Sequence, residues 1–255
     1  MSKFNKESNS YIWIFSIVMT VVLGSCLNYV SQKLKPIQDA EVALEQKKFI
    51  LSASMGIANV QNEIDEQGKN WKNWVDSIYA EKVSSYVVNF NGERIDSIAV
   101  SSISTAKEYK KAAEDRLLPV YEVKSGDKIE AYVFPVAGFG LWDRIWGFIA
   151  LQGDLNTIQG AVFDHKGETP GLGARITDTP VQERFVGKSI YSSDGTLVGV
   201  AMQKGEGNAA DLKEEPHKVD GLSGATLTAV GLNTMIVEYF GLYNKFIQDL
   251  NDKNP

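Results

Sequence analysis

Residues 117–155 read LLPVYEVKSGDKIEAYVFPVAGFGLWDRIWGFIALQGDL, and this stretch decides the class of fold. It holds three runs typical of β-strands, LLPVYEV, KIEAYVFPV and RIWGFIALQGDL, which are rich in β-branched and aromatic residues. Short stretches that contain glycine separate the runs. Strands joined by such short connections pair as antiparallel neighbours. The stretch therefore predicts an antiparallel sheet with a buried third strand.

Two further stretches show the helical spacing of apolar residues. Residues 31–56 carry a mixed apolar face and predict a helix, with Pro36 expected at a helix start, where its missing N–H costs nothing. From Leu227 to Leu250 the apolar spacing is again helical. The helices thus flank the strands in the sequence.

Two hairpins are predicted outside the central stretch. Residues 83–100, VSSYVVNFNGERIDSIAV, place two β-rich runs around Asn91-Gly92, a pair suited to a tight hairpin turn. Residues 189–202, SIYSSDGTLVGVAM, do the same around Asp194-Gly195. Helices first, then strands joined by hairpins, then a terminal helix indicate an α+β fold with a mixed or antiparallel sheet and flanking helices.

One segment has the character of a membrane span. Tyr11–Val30, YIWIFSIVMTVVLGSCLNYV, has 20 uncharged residues and reaches about 30 Å as a helix, the thickness of the hydrocarbon layer. Lysines flank it on both sides, so charge orients it weakly. A short tail before a lone helix usually stays inside. We therefore expect a cytoplasmic tail (residues 1–10), a single transmembrane helix (residues 11–30) and an extracytoplasmic domain (residues 31–255).

An alternative for the same segment is a cleaved signal. Leu23-Gly24-Ser25-Cys26 resembles a bacterial lipobox, in which the cysteine receives a lipid after cleavage. Apolar character continues beyond Cys26, which favours a retained helix. Either alternative attaches the chain to a membrane and leaves its bulk facing outward.

Composition excludes several classes of function. The net charge is −6 and no stretch is strongly basic, so nucleic acid is not an expected partner. With one cysteine and two histidines, the chain lacks the ligands for a zinc or iron–sulfur site of its own. No catalytic residue and no metal ligand is predicted. Redox chemistry would require a bound organic cofactor or partner subunits.

The stretch DGLSGAT, Asp220–Thr226, stands directly before the C-terminal helix. A helix start offers unpaired N–H groups and the positive end of the helix dipole, and small residues let a phosphate approach closely. Three alternatives stay open here. In the first, Ser223 or Thr226 serves only as a helix cap. In the second, the turn belongs to a non-redox module for a phosphorylated ligand. In the third, Ser223 in GLSGA is a hydrolase nucleophile, although the preceding residues are too polar for the required strand.

Two more stretches are unusual. DHKGETPGLGARI, residues 164–176, has the glycine and proline spacing of a loop with turns. Leu141 and Trp142 lie beside the glycines of GFGLW, where they are placed to cover a flat ring. The plain alternative for the first stretch is an ordinary loop. For the second stretch it is a hairpin with core aromatics.

Together these stretches resemble a known family, that of the C subunit of the bacterial Na⁺-translocating NADH:quinone oxidoreductase and its relative, the G subunit of the Rnf complex. The resemblance covers nearly the whole chain and includes the N-terminal helix, LKPIQ, GFGLW, HKGETPGLGARI and DGLSGATLT. The last matches the family's flavinylation pattern, D-x-x-[ST]-G-A-T, at every position. This pattern is the most specific of the five.

The resemblance implies that Thr226 carries one FMN through a phosphoester bond, which a separate flavin transferase makes with FAD as donor. Asp220, Ser223, Gly224 and Ala225 match the rest of the pattern. The resemblance also places two loops near the flavin, and their residues are Leu141, Trp142, Glu168, Thr169, Gly171 and Leu172.

The resemblance further implies an electron carrier in a sodium pump of the bacterial inner membrane, with its main domain in the periplasm and its flavin-binding part at about residues 130–250. Electrons would pass from an iron–sulfur centre to this FMN and on to the FMN of a neighbouring subunit, between NADH and ubiquinone. The implied partners are the A, B, D, E and F subunits, and the chain would not oxidise NADH alone. A G subunit of the Rnf type, working with ferredoxin and NAD⁺, is the alternative.

Overall fold

The structure is a computed structural model that describes residues 8–126 and 128–252. Most of the predicted cytoplasmic tail (residues 1–10) lies outside the described residues. The chain divides into two compact units, one ending at Gln46 and one beginning at Lys47.

The described residues form helices and strands in an order that confirms the predicted α+β class. The helices are α1 (Asn9–Met55), α2 (Ile57–Gln67), α3 (Trp71–Lys82), α4 (Thr105–Glu108), α5 (Thr179–Gln182), α6 (Ala209–Leu212) and α7 (Thr226–Asn251). The strands are β1 (Val83–Val88), β2 (Arg94–Ile95), β3 (Leu118–Ser125), β4 (Lys128–Phe139), β5 (Arg144–Gln152), β6 (Ile158–His165), β7 (Ala201–Met202) and β8 (Lys218–Val219).

Helix α1 is a single helix of 47 residues. Its most apolar 18-residue window has a mean hydropathy of 2.0, so the helix is long and apolar enough to cross a membrane. Pro36 lies inside this helix, and the prediction that it starts a helix was therefore wrong. A proline inside a helix removes one hydrogen bond and crowds the carbonyl four residues earlier, but the helix-forming residues on both sides continue the helix.

Six of the described strands form one antiparallel sheet in the order β2-β1-β3-β4-β5-β6. The three strands predicted from residues 117–155 are its centre, β3, β4 and β5, and they are confirmed. The hairpin at Asn91-Gly92 is also confirmed, although its second strand is only two residues long. Strand β6 was not predicted.

The two faces of the sheet bury different side chains because successive residues of a strand point to opposite sides. In β4, Tyr132, Phe134 and Val136 join the large core that includes α7, whereas Ala131 and Val133 join a second core that includes the end of α1. Burying a large apolar side chain contributes about 1.5–3 kcal/mol. The apolar face of α7 is thereby fixed on the sheet.

The second predicted hairpin is only partly present. Tyr191 and Leu197 form a single antiparallel bridge across the turn at Asp194-Gly195. Strand β7 does not return along the first arm but pairs in parallel with β8, so the predicted second arm was wrong. The backbone N–H and C=O groups of β7 find their hydrogen-bond partners in β8. Strand β8 lies directly before Asp220, and the chain continues from it to the start of α7.

Candidate functional site

Helix α7 begins at Thr226, which is its first residue and is exposed. The N-cap residue is Ala225, which is buried and provides no side-chain cap. The prediction that the helix starts here is confirmed, but the alternative that Ser223 or Thr226 caps it is wrong. The alanine leaves the first-turn N–H groups without a side-chain acceptor, and such groups favour an anion.

Gly224 brings the loop of residues 165–176 against this helix start. Its φ is +72°, in the left-handed region that favours glycine. A Cβ at this position would lie 2.8 Å from Leu172 Cδ2. Leu172 therefore packs directly over Gly224, two residues before Thr226.

Glu168 joins three segments at one point. Its Oε1 accepts a hydrogen bond from the Trp142 N–H at 2.8 Å, and its Oε2 accepts one from the Thr228 hydroxyl at 2.5 Å. The side chain is buried. The β4–β5 turn, the loop after β6 and the first turn of α7 are thus held to one carboxylate.

The environment of Glu168 keeps it ionised. Burial alone would raise the pKa of the carboxyl, but the hydrogen bond from Thr228 and those from the backbone N–H groups of Trp142, Leu141 and Asp143 outweigh it, so the pKa is lowered. Glu168 is therefore ionised, and the groups that donate hydrogen bonds to it are neutral. We call the Glu168 carboxylate with its hydrogen bonds to Trp142 and Thr228 the brace.

Leu141, Trp142 and Leu172 are exposed beside this brace, Trp142 to 69%. The Trp142 indole N–H donates to the Thr169 hydroxyl at 3.1 Å, which ties the indole to the loop after β6. Gly171 lies in the same loop. Exposed apolar side chains around a hydrogen-bonded indole form a surface suited to a flat ring.

Asp220 is buried, and its carboxylate accepts from the main chain. The N–H groups of Gly207, Asn208 and Gly221 donate to it at 3.0, 3.1 and 3.1 Å. It therefore organises the turn between β7 and α6.

Glu206 in that turn contacts two arginines and the motif. Arg175 reaches both of its oxygens at 2.8 Å, Arg184 reaches Oε1 at 3.1 Å, and the Ser223 N–H donates to Oε2 at 3.3 Å. The hydrogen bonds from Arg175, Arg184 and Ser223 lower the pKa of Glu206 to about 2. We call Arg175, Arg184 and Glu206 the clamp.

The three predicted stretches thus meet at the start of α7. The sequence interpretation missed the clamp and Thr228. Thr228 carried a signal, since it follows Thr226 on the first turn of a predicted helix. For the clamp, only Arg175 lay in a stretch that the sequence singled out, and nothing indicated its partners, because the three residues lie in separate segments without periodic spacing.

The Thr226 hydroxyl is exposed at a helix start without a side-chain cap, and its neighbours in the motif are small. We call the exposed side chains of Leu141, Trp142 and Leu172 the rim. These features fit a phosphate group attached to or bound at Thr226 and a flat ring over the rim. Ser223 and Gly224 are exposed next to that hydroxyl. Residues 140–239 match the family model described as an FMN-binding domain.

Two relatives of the chain carry the same name. The chain is 32% identical to the C subunit of the Na(+)-translocating NADH-quinone reductase of Pseudomonas aeruginosa, with 93% of each chain covered. It is also 32% identical to the protein of that name from Haemophilus ducreyi, over 94% of this chain and 93% of the relative.

A solved structure confirms the fold. The crystal structure of the C subunit of the Na(+)-translocating NADH-quinone reductase from Parabacteroides distasonis matches with a TM-score of 0.68 and 28% identity, over 84% of this chain and 96% of that one. Identity over almost the full length, the shared fold and the FMN-binding domain together show that the chain belongs to the family of the C subunit of the Na⁺-translocating NADH-quinone reductase, an oxidoreductase complex.

Proposed function

We propose that Thr226 carries one FMN through a phosphoester bond and that the chain is an electron carrier of a membrane-bound Na⁺-translocating NADH:quinone oxidoreductase. The observation that carries the proposal is the exposed Thr226 hydroxyl on the first residue of an uncapped helix, within the part that matches an FMN-binding domain.

The helix start fits the phosphate of such a cofactor. A phosphodiester keeps one negative charge, and the first-turn N–H groups and the helix dipole favour an anion there. Ala225 does not compete for these N–H groups, since it has no side-chain acceptor. Ser223 and Thr226 are exposed, so the phosphate and the enzyme that attaches it can reach this hydroxyl.

The apolar rim fits the ring. Leu141, Trp142 and Leu172 would exclude water from one side of it, while Thr169 orients the Trp142 indole through its hydrogen bond. When bound, FMN supplies reversible one-electron chemistry. Glu168 keeps the rim attached to the helix that bears Thr226.

In the complex, we place this chain between an iron–sulfur centre and the covalent FMN of a neighbouring subunit, on the path from NADH to ubiquinone. Its partners are the A, B, D, E and F subunits, with a flavin transferase for maturation. Helix α1 holds the chain in the bacterial inner membrane by residues 11–30, the tail (residues 1–10) is cytoplasmic, and residues 31–255 are periplasmic. A tether is useful there because free FMN would diffuse away.

The names of the relatives favour this complex over an Rnf complex, in which the chain would be the G subunit. The geometry does not favour the alternative of a hydrolase with Ser223 as its nucleophile. His165 accepts from the Glu168 N–H, and the His217 ring contacts the Ser189 carbonyl, so each histidine is engaged away from Ser223. A phosphorylated-ligand module would bind reversibly.

The test is expression of the full chain with and without a flavin transferase, followed by intact mass and in-gel flavin fluorescence after denaturation. We expect the transferase to add one FMN less one water. Thr226→Ala should abolish the addition. Thr234→Ala is the matched control, because Thr234 is an exposed threonine of the same helix whose hydroxyl donates to the Val230 carbonyl.

Unmodified wild-type protein from cells with an active transferase would refute the proposal. A fluorescent Thr226→Ala band would refute the assignment of the residue. Reversible binding of a phosphorylated compound with no mass change would favour the non-redox module instead.

A further inference from the structure

We propose that Glu206 is a positioning residue for the maturation of this site: with Arg175 and Arg184 it holds residues 220–223 in the conformation from which Thr226 accepts its flavin. The inference rests on the proposed function, since it concerns the attachment of FMN to Thr226.

The contacts converge on Glu206 from both sides. Arg175 is bidentate to its carboxylate, with both distances 2.8 Å, and Arg184 adds a third contact at 3.1 Å. The fourth donor is the Ser223 N–H, which belongs to the motif itself. Glu206 is a surface residue, so these contacts owe their strength to the charged, bidentate geometry rather than to exclusion of water.

Arg184 holds the other half of the motif. Its Nη1 donates to the carbonyl oxygens of Asp220 and Gly221, at 3.1 and 2.6 Å. The clamp therefore binds a carbonyl–carbonyl–amide sequence at Asp220, Gly221 and Ser223. The side chains of Asp220 and Leu222 are buried, and the clamp adds bonds to the main chain at Asp220, Gly221 and Ser223, so it fixes the backbone between and beside these two anchors.

The buried Asp220 supports the same function. By accepting from Gly207 and Asn208 it folds the turn that presents Glu206 to Ser223. Since Asp220 is only 4% exposed, the transferase cannot contact its side chain in the folded protein, and we assign it a positioning function as well.

The clamped segment leads directly to the acceptor. The Ala225 N–H donates to the Leu222 carbonyl, which closes a turn, and Thr226 follows as the first helical residue. In the transfer, Thr226 Oγ1 forms a bond to the phosphorus of the FMN half of FAD. The bond between that phosphorus and the bridging oxygen of the pyrophosphate breaks, AMP leaves, and the hydroxyl proton passes to a base of the transferase. No electrons are exchanged with an outside oxidant or reductant.

The clamp acts before this step, on the population of acceptor molecules with the correct backbone. If loss of the clamp leaves only about a tenth of the molecules competent, the apparent KM for the acceptor rises about tenfold and kcat is unchanged. A group that takes part in the transfer would instead lower kcat.

The experiment measures initial rates of FMN transfer to the purified full chain in detergent, with FAD and a flavin transferase, for wild type and Glu206→Gln. Glu238→Gln is the matched control. Glu238 is also a glutamate paired with an arginine, Arg116, at 2.8 Å, and it lies on α7 twelve residues beyond Thr226. A second readout is hydrogen exchange of the Ser223 amide in the absence of the transferase.

We expect Glu206→Gln to raise the KM about tenfold at constant kcat and to exchange the Ser223 amide faster, with Glu238→Gln like wild type. Unchanged KM and unchanged exchange would overturn the inference, as would a loss confined to kcat. Wild-type protein that accepts no flavin would instead overturn the proposed function, so the two failures are distinguishable.

If Glu206→Gln does not fold, Arg175→Lys tests whether the clamp positions residues 220–223. It keeps the charge but loses the bidentate geometry, because lysine has no planar fork of donors. The same change in KM, in a smaller degree, supports the clamp, and wild-type kinetics from folded Arg175→Lys overturn it.

Discussion

Replacing Glu168 by alanine should destabilise the protein far more than a typical surface substitution. The change removes the acceptor of one buried donor, the Thr228 hydroxyl at 2.5 Å, and of one half-buried donor, the Trp142 N–H at 2.8 Å. A buried donor left without a partner costs about 1–3 kcal/mol and a half-buried one less, so we expect the free energy of unfolding to fall by about 2–4 kcal/mol. The β4–β5 turn should separate from α7.

A double-mutant cycle isolates the link between the loop and the helix. Thr228→Val removes the hydroxyl but keeps the shape, and we expect it to cost about 1.5–3 kcal/mol because its acceptor is charged. The two losses should not add, since both variants remove the same bond, and the coupling should be about 0.5–3 kcal/mol.

Lowering the pH should remove the contribution of the ionised Glu168 to the stability of the fold. Its pKa in the folded protein is lowered, so its contribution is fully present above the unfolded pKa of about 4.3 and is lost as pH falls through the folded pKa. Glu168→Gln should therefore be less stable than wild type at pH 7, and the difference should shrink below about pH 4.

The assay is urea unfolding of the full chain in detergent, followed by tryptophan fluorescence at several pH values. A loss below about 1 kcal/mol for Glu168→Ala, strict additivity with Thr228→Val, or a pH-independent deficit for Glu168→Gln would refute the brace, since surface substitutions remain within about 0.5 kcal/mol.

Two glycine substitutions test the packing of α7 by the same unfolding measurement. Gly231→Ala should severely destabilise the fold because the new Cβ would overlap the Phe139 carbonyl oxygen, whereas Gly241→Ala, with open space at its Cβ, should be stabilising by about 1 kcal/mol. A soluble, stable Gly231→Ala would contradict the close approach. Gly224→Ala should cost about 1–2 kcal/mol from its left-handed backbone, and more if Leu172 cannot move; a neutral effect would argue against the packing of that loop on the motif.

The fold was predictable where local pattern and tertiary structure agree. The β-rich runs of residues 117–155 became β3, β4 and β5, and the helical spacing after Thr226 became α7. The wrong strand prediction concerns a segment whose pairing depends on a partner distant in the sequence. Strand β7 pairs with β8, and no local pattern at Asp194-Gly195 indicates that partner. Strand β6 was missed because its end, Asp164-His165, was read as part of the following loop.

The site was predictable as a meeting of three stretches but not as a network. The resemblance to the family put Glu168 near the flavin, and the structure adds that its oxygens bind Trp142 and Thr228. The clamp depends on bonds between residues 17 to 37 positions apart. Such bonds leave no periodic trace in a single sequence, so only the folded chain reveals them. The flavin contacts themselves stay predictions.

The most direct test of the central claim is fragmentation mass spectrometry of the peptide that spans residues 219–245, taken from protein matured with a flavin transferase. We predict that the fragments place one FMN phosphoester on Thr226, with Ser223, Thr228 and Thr234 unmodified. A flavin on any of those three residues, or a peptide of unmodified mass from fully matured protein, would contradict the account.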